Sequence, residues 1–405
     1  MKVLHTADWH VGETLKTRSR YDEHRAVLAD LVRIARDEDV DAVLIAGDIF
    51  DSLSPAPEAQ GLVTRTLLDL RADGRHIVAL AGNHDNGDLI DAVYRPLLRE
   101  LDIHLLGRPK RPDAGGTLRL TTRAGEPLTV AALPFLSHRH AVRAAEALLH
   151  QVPQHTFDYV RRIRAMVEAL AAGFTDDAVN IVMTHATILG GLLGGGERDV
   201  QTSFDYALPA DVLPATADYA ALGHLHRSQR LDGPCPIAYS GAPLAIDFGD
   251  EEMTPVALVV EVTPDEPAKV REVPVTGGRG MRTLRGTLDE VIAAGELTGD
   301  AYLRVILAQP GRAGLADLVR DKLPNALTVL LDDAYKPRLS RPGGRSRAGR
   351  SAAQLFTDYL AEQQIDDARV SGMFADILDE VTGLPVEPPV PPVVPEAARA
   401  ASGPG

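Results

Sequence analysis

Asp8, His10, Asp48, Asn83, His185, His224 and His226 are the residues whose types and spacing most directly suggest chemistry in this sequence. They lie in five polar clusters, each closing an apolar run. The clusters are Asp8-Trp9-His10, Gly47-Asp48-Ile49-Phe50-Asp51, Gly82-Asn83-His84-Asp85, a lone His185 after Val179–Thr184, and Gly223-His224-Leu225-His226. Carboxylate, amide and imidazole donors without a thiolate suit Mn²⁺, Fe²⁺ or Zn²⁺ better than a closed structural zinc site. Seven donors are too many for one tetrahedral ion and fit two ions sharing a bridging carboxylate. Such a pair clamps the attacking and leaving oxygens of an in-line displacement.

Distant clusters need a scaffold that delivers them to one rim. The first 110 residues alternate strand and helix signals. Strands are expected at Val3–Ala7, Asp41–Ala46, His76–Ala81 and Ile103–Leu106, and helices at Tyr21–Asp37, Pro57–Ala72 and Gly87–Leu101. Further helices are expected near Arg139–Leu149 and Phe157–Ala172. Val179–Thr184 and Tyr219–Leu222 repeat the strand signal, and Ile237–Val275 reads as short alternating strands. This pattern is α/β, and in such sheets ligands gather at the carboxyl ends of strands. The first domain is therefore drawn over residues 1–275. Beyond Gly277-Gly278-Arg279-Gly280, a small α+β segment is expected over 281–337, then an Arg-rich linker over 338–350. A helix pair follows within 351–383 (Ala352–Gln364 and Asp367–Val381), and a Pro/Ala-rich tail, 384–405, is expected to be disordered.

Composition narrows the class. With 57 acidic and 42 basic side chains, the net charge of −15 argues against coating nucleic acid by bulk charge. It leaves room for an enzyme that grips nucleic acid through local patches. No run of about 18 apolar residues spans a membrane, and the first residues lack the apolar core of a secretory signal. Cys235 is the single cysteine, so disulfides and cysteine zinc clusters are excluded within the chain. A cytoplasmic location is expected.

The ordered set DxH, GDxxD, GNHD, lone His and GHxH resembles the motifs of calcineurin-like metallophosphoesterases. Each motif alone is weak; all five in order at strand ends are specific. The resemblance implies two mixed sheets flanked by helices. It assigns Asp8, His10, Asp48 and His226 to one ion, with Asp48 bridging to a second held by Asn83, His185 and His224. His84 is implied as the catalytic histidine, with Asp51 and Asp85 as its orienting carboxylates. MKVLHTADWHVG, GDIFDSLSPAP, YAALGHLHRSQ and YSGAPLAIDFGDEE are similar to the bacterial SbcD branch, strongly over residues 1–275 and more weakly over the small segment.

That branch implies two Mn²⁺ ions, DNA as substrate and an SbcC-type ATPase as partner. It also implies 3′→5′ exonuclease and single-strand or hairpin endonuclease activity, a capping domain, and a homodimer through the helices at Pro57–Ala72 and Gly87–Leu101. Leu62, Leu67, Leu68 and Leu98 are the apolar candidates for that contact. Two departures stand out: Asp51 replaces a histidine of archaeal and eukaryotic relatives, and Ala242 replaces the serine expected in a GSP turn. A small-molecule phosphodiesterase of the same family and a non-cleaving DNA-end tether are the alternatives.

Other residues read more plainly. His5 is expected to be a core residue, Trp9 a packing residue and Cys235 an apolar filler. Gly190–Gly196 lacks the Lys-Ser/Thr of a P-loop and is expected to be a loop near the active site. Arg338, Arg341, Arg345, Arg347 and Arg350 are candidates for DNA-backbone contact, balanced against an ordinary solvated charge run. In the helix pair, Phe356, Tyr359, Phe374 and Ile377 are expected to form an apolar face for the ATPase, with packing on the chain's own small domain as the alternative.

Overall fold

A computed structural model describes residues 1–137, 140–141, 144–145, 148, 159–195, 197, 207–264, 266–336, 351–363, 365 and 367–382. The helix expected near Arg139–Leu149 falls largely outside these residues, as do the tail and the linker with all five of its arginines. The strands begin with β1 (Lys2–Thr6), a short hairpin of β2 (Thr14–Leu15) and β3 (Arg18–Ser19), then β4 (Ala42–Ile45), β5 (His76–Leu80) and β6 (Ile103–Leu106). They continue as β7 (Thr117–Thr121), β8 (Pro127–Leu133), β9 (Val179–His185), β10 (Tyr219–Gly223) and β11 (Gln229–Leu231). The series then runs through β12 (Ile237–Tyr239), β13 (Val256–Thr263) and β14 (Glu266–Pro274).

Two six-stranded mixed sheets form, in the orders β14-β13-β1-β4-β5-β6 and β11-β12-β10-β9-β8-β7. Within them β1-β4-β5-β6 are mutually parallel, and so are β8-β9-β10-β12. The central strands are buried along almost their whole length and mostly apolar, because both their faces are covered. Val3, Leu44, Val78 and Leu80 pack into the layer between the sheets, against Val130, Ile181 and Ala221. Their neighbours Leu4, Val43, Ile45 and Ile77 face the other way, toward α1 (Tyr21–Asp37) and α2 (Pro57–Arg71). His5 lies in the inter-sheet layer, its two ring nitrogens satisfied by Tyr219 Oη at 2.8 Å and Leu222 O at 3.1 Å. It is the structural residue expected from sequence.

The helices at the outer face correct one expectation. Leu62, Leu67 and Leu98 are buried in the core under the first sheet and are not available for a second chain. Leu68 is exposed, together with Val93, Leu97 and Leu101. Those last three are four residues apart and form one stripe of the helical run from Gly87 to Arg99 and its end. Residue type alone does not single them out.

The helix expected at Phe157–Ala172 is α3 (Tyr159–Ala171). The small segment is β15 (Met281–Gly286), α4 (Leu288–Gly295), β16 (Tyr302–Leu307), α5 (Leu315–Lys322) and β17 (Ala326–Leu331). Its three strands are all parallel, so the helices serve as crossovers, an alternating α/β arrangement where an α+β one was expected. It belongs to one compact unit with the first domain. Buried Glu23 joins the two: it accepts hydrogen bonds from Arg20, from Tyr302 Oη at 2.7 Å and from Arg279 N at 3.0 Å.

A second unit contains α6 (Ala352–Glu362) and α7 (Ala368–Thr382), as the periodicity predicts. Phe356 and Phe374 stack on each other, ring centres 3.8 Å apart. Part of the expected apolar face is thus consumed within the hairpin, while Tyr359, Met373 and Ile377 remain about half exposed or more. No helix among the described residues is long and apolar enough to cross a membrane.

Candidate metal centre

Each polar cluster emerges at the carboxyl end of a parallel strand, which places all five on one rim. The first two loops run side by side through main-chain bonds from Asp8 N to Gly47 O and from His10 N to Asp48 O, both 3.0 Å. Asp8, His10, Asp48 and His224 all adopt positive φ, at 54°, 45°, 49° and 99°. Non-glycine residues take this conformation at a cost, and it persists only where the surroundings enforce it. The glycine of GNHD is enforced sterically, since a Cβ on Gly82 would lie 2.1 Å from Asp48 Oδ1.

The donor atoms fall into overlapping groups. Asp8, His10 and His226 present atoms within 4.8 Å of one another, and so do Asp48, His185 and His224. Asn83 Oδ1 lies 2.8 Å from both His185 Nε2 and His224 Nδ1. Asp48 Oδ2 is 3.3 Å from His185 Nε2 and 3.6 Å from His10 Nε2, so this carboxylate touches both groups.

Two observations show that the residues fit metal ions. His10 Nε2 and His226 Nε2 face each other at 3.2 Å, an arrangement that two lone pairs tolerate only with a proton or cation between them. His185 Nδ1 lies 2.8 Å from Ala46 O and must donate to it, leaving Nε2 as the atom that faces the oxygens of Asn83 and Asp48, where either a proton or a cation has to lie between them.

The calcineurin-like phosphoesterase family model matches residues 1–228. The SbcD subunit of the Bacillus subtilis nuclease SbcCD is 32% identical over 91% of this chain and 100% of its own length. Its Escherichia coli K12 counterpart is 31% identical over 95% and 99%. The Rhodobacter capsulatus counterpart is 41% identical over 62% and 64%. The chain belongs to the SbcD branch of the calcineurin-like phosphoesterases.

This phosphoesterase is therefore a metal-dependent phosphodiester hydrolase, and the electrostatics of its site follow from burial and proximity. Burial pushes the Asp8 carboxyl up to about 6. Burial would raise Asp48 too, but the imidazoles of His185, His84 and His10 together hold it well below the usual carboxylate range. Burial opposes protonation of His185 and His226, yet Asp48 beside the first, and Asp250 and Asp8 beside the second, push both up to about 9. His10 is held down at about 4 by burial. In the metal-free protein, protons on His185 and His226 thus balance the buried carboxylates.

His84 stands beside these groups, its ring perpendicular to that of His10 with centres 4.5 Å apart. Its Nδ1 donates to the main-chain carbonyl of Asp51 at 2.9 Å, closer than the Asp51 carboxylate at 3.6 Å. The expectation that Asp85 orients His84 is corrected. Asp85 accepts from Gly82 N and Phe50 N at 2.8 Å and from Ile49 N at 3.0 Å, so it ties the GNHD loop to the GDIFD loop. Three converging N–H groups claim its oxygens.

Residues missed in the sequence complete the phosphoesterase site. Asp250, fully buried, has Oδ2 3.8 Å from His226 Nδ1, on the ring edge opposite His10. Ligating imidazoles commonly have such a carboxylate behind them. Glu13 joins His10, Asp51, His84 and Gly195 around a cavity of about 370 Å³. Burial, with Asp51 beside it, pushes the Glu13 carboxyl up to about 8. Ala242 keeps a main-chain contact despite lacking the expected hydroxyl: its N–H donates to His226 O at 2.9 Å. Asp250 lies in the GDEE stretch and Ala242 in the GAP turn, but nothing local in the sequence specifies that either meets His226.

Proposed function

We propose that this chain is the Mn²⁺-dependent DNA nuclease subunit of a complex with an SbcC-type ATPase. It acts in the cytoplasm as a homodimer, as a 3′→5′ exonuclease on duplex ends and an endonuclease on single strands and hairpins. The observation that carries the reading is Asp48 in contact with both donor groups, beside a histidine whose ring is held by a carbonyl. Asp8, His10, Asp48 and His226 would hold one ion, and Asp48, Asn83, His185 and His224 the second. Bound there, two divalent ions supply Lewis acidity toward phosphoryl oxygens and lower the pKa of water.

The chain's own residues do the rest. His84 keeps its Nδ1 proton on Asp51 O, so Nε2 is the atom that exchanges a proton with the departing oxygen. Asp85 fixes the loop that carries Asn83 and His84. The relatives' name, as the SbcD component of an SbcCD nuclease, supports the ATPase partner and nucleic acid as the substrate. Polarity and hairpin cutting rest on the family resemblance. Tyr359, Met373 and Ile377 support a docking face on the helix pair, and Leu68, Val93, Leu97 and Leu101 support the homodimer.

The test is digestion of end-labelled duplex and hairpin DNA with Mn²⁺, Mg²⁺ or chelator, with and without the ATPase. Manganese-dependent shortening from the 3′ end and opening of the hairpin are expected. Turnover of cyclic nucleotides or nucleotide monoesters with none of DNA would establish the small-molecule reading instead.

A further inference from the structure

The Gly-rich segment that lacks the Lys-Ser/Thr of a P-loop has a different use in this fold. Glu197 follows it in sequence, and its carboxylate receives three main-chain N–H groups. Oε1 accepts from Gly194 N at 2.7 Å and from His226 N at 2.9 Å; Oε2 accepts from Gly195 N at 2.7 Å. One of the three belongs to a metal ligand. The loop lies directly on that ligand, because a Cβ on Gly194 would come within 3.0 Å of His226 Cβ. Gly195 is at the wall of the cavity shared by His10 and His84.

We propose that Glu197 is a positioning residue for the His226 metal site: it fixes the main chain of His226 and locks the Gly194–Gly195 wall against it. The proposal rests on the reading of His226 as a ligand. It goes further by assigning the means of its placement. His226 is held at three points. Glu197 takes its N–H, Ala242 N–H takes its carbonyl at 2.9 Å, and the Asp250 carboxylate lies 3.8 Å behind its ring. Asp250 and Ala242 come from the chain after β12, whereas Glu197 comes from a loop before β10. Glu197 thus links that loop directly to the ligand's own N–H, whereas Gln229 ties Leu192 of the loop to the neighbouring Arg227 carbonyl at 3.1 Å. A carboxylate suits the role because all three partners are donors. An amide of the same shape would offer one oxygen and turn an NH₂ group toward an N–H.

That chemistry makes E197Q the informative variant, since glutamine preserves size while replacing one acceptor oxygen, and the negative charge, with an NH₂ donor. Mn²⁺ binding to the full-length chain, followed by titration with electron paramagnetic resonance, should show one of two ions bound on the order of 10–100-fold more weakly. The other ion should bind as in wild type. On a short duplex, kcat at low Mn²⁺ should fall with KM for DNA unchanged, and high Mn²⁺ should restore it. Rescue by metal separates positioning from a general packing defect.

A second variant guards the interpretation. Gln229 pins the same loop elsewhere, accepting from Leu192 N and donating to Leu192 O, both at 2.7 Å, without touching His226. Q229A should keep both ion affinities. If Q229A weakens the ion as much as E197Q does, loop order in general is responsible and the proposal falls. It falls equally if E197Q binds both ions like wild type or loses both together. H226A tests the underlying reading separately: retention of both ions there would show that His226 is no ligand, whatever E197Q does.

Discussion

Replacing Asp85 by asparagine distinguishes a loop anchor from an orienter of the catalytic histidine. The carboxylate is buried and accepts three main-chain N–H groups, two on Oδ2 and one on Oδ1. An asparagine with its oxygen at the Oδ2 position keeps the bonds from Ile49 and Gly82. The Phe50 N–H then faces an NH₂ group, and a buried donor without a partner costs about 1–3 kcal/mol. D85N should therefore destabilise the protein by about 2 kcal/mol, and D85A, which abandons all three donors, by about 4 kcal/mol after local relaxation. At about 2 °C per kcal/mol for a chain of this size, Tm should fall by about 4 °C and about 8 °C. The assay is thermal unfolding in chelator, which removes any contribution from metal binding, paired with turnover at saturating Mn²⁺. Because the GNHD loop also carries Asn83 and His84, turnover should fall in step with stability across the two variants. A D85N protein that melts with wild type while losing most of its turnover would refute the anchoring argument and restore Asp85 as a partner of His84.

Other outcomes rest on the same geometry. H84A should retain both ions and DNA binding but lose roughly 10²–10⁴-fold in turnover; cleavage at the wild-type rate would remove His84 from the chemistry. D48N should weaken both ions together, since its carboxylate touches both donor groups, and a metal titration showing one ion unaffected would exclude a bridge. His185 and His226, pushed up to about 9, are protonated in the metal-free protein below that pH and must lose their protons to ligate. Metal affinity should accordingly rise with pH through neutrality and level off above about 9, with proton release measurable by calorimetry in buffers of different ionisation enthalpy; absence of release at pH 7.5 would contradict it. L97E, placed on the exposed Val93–Leu97–Leu101 stripe, should convert a dimer to a monomer in sedimentation at tens of micromolar, and an unchanged sedimentation profile would discard that stripe as the contact.

The sequence by itself determined the donors and the rim. Apolar runs closing in Asp8, Asp48, Asn83, His185 and His224 require strands buried on both faces, and parallel strands deliver the residues after them to a common edge. The 3.6-residue periodicity likewise determined both C-terminal helices, whose apolar positions recur locally. What only the tertiary structure decided is which groups meet once two sheets are stacked. Asp85 lies next to His84 in sequence yet spends its oxygens on the neighbouring loop, because three donors converge there. Asp250 and Glu197 flank His226 from segments 24 residues downstream and 29 upstream, and no local pattern encodes such approaches. Leu62, Leu67 and Leu98 share a residue type with Leu68 and Leu97, but the helix face turned to the sheet buries the first three and exposes the others. Residue type and spacing are properties of one segment, whereas pairing and exposure depend on how segments pack together.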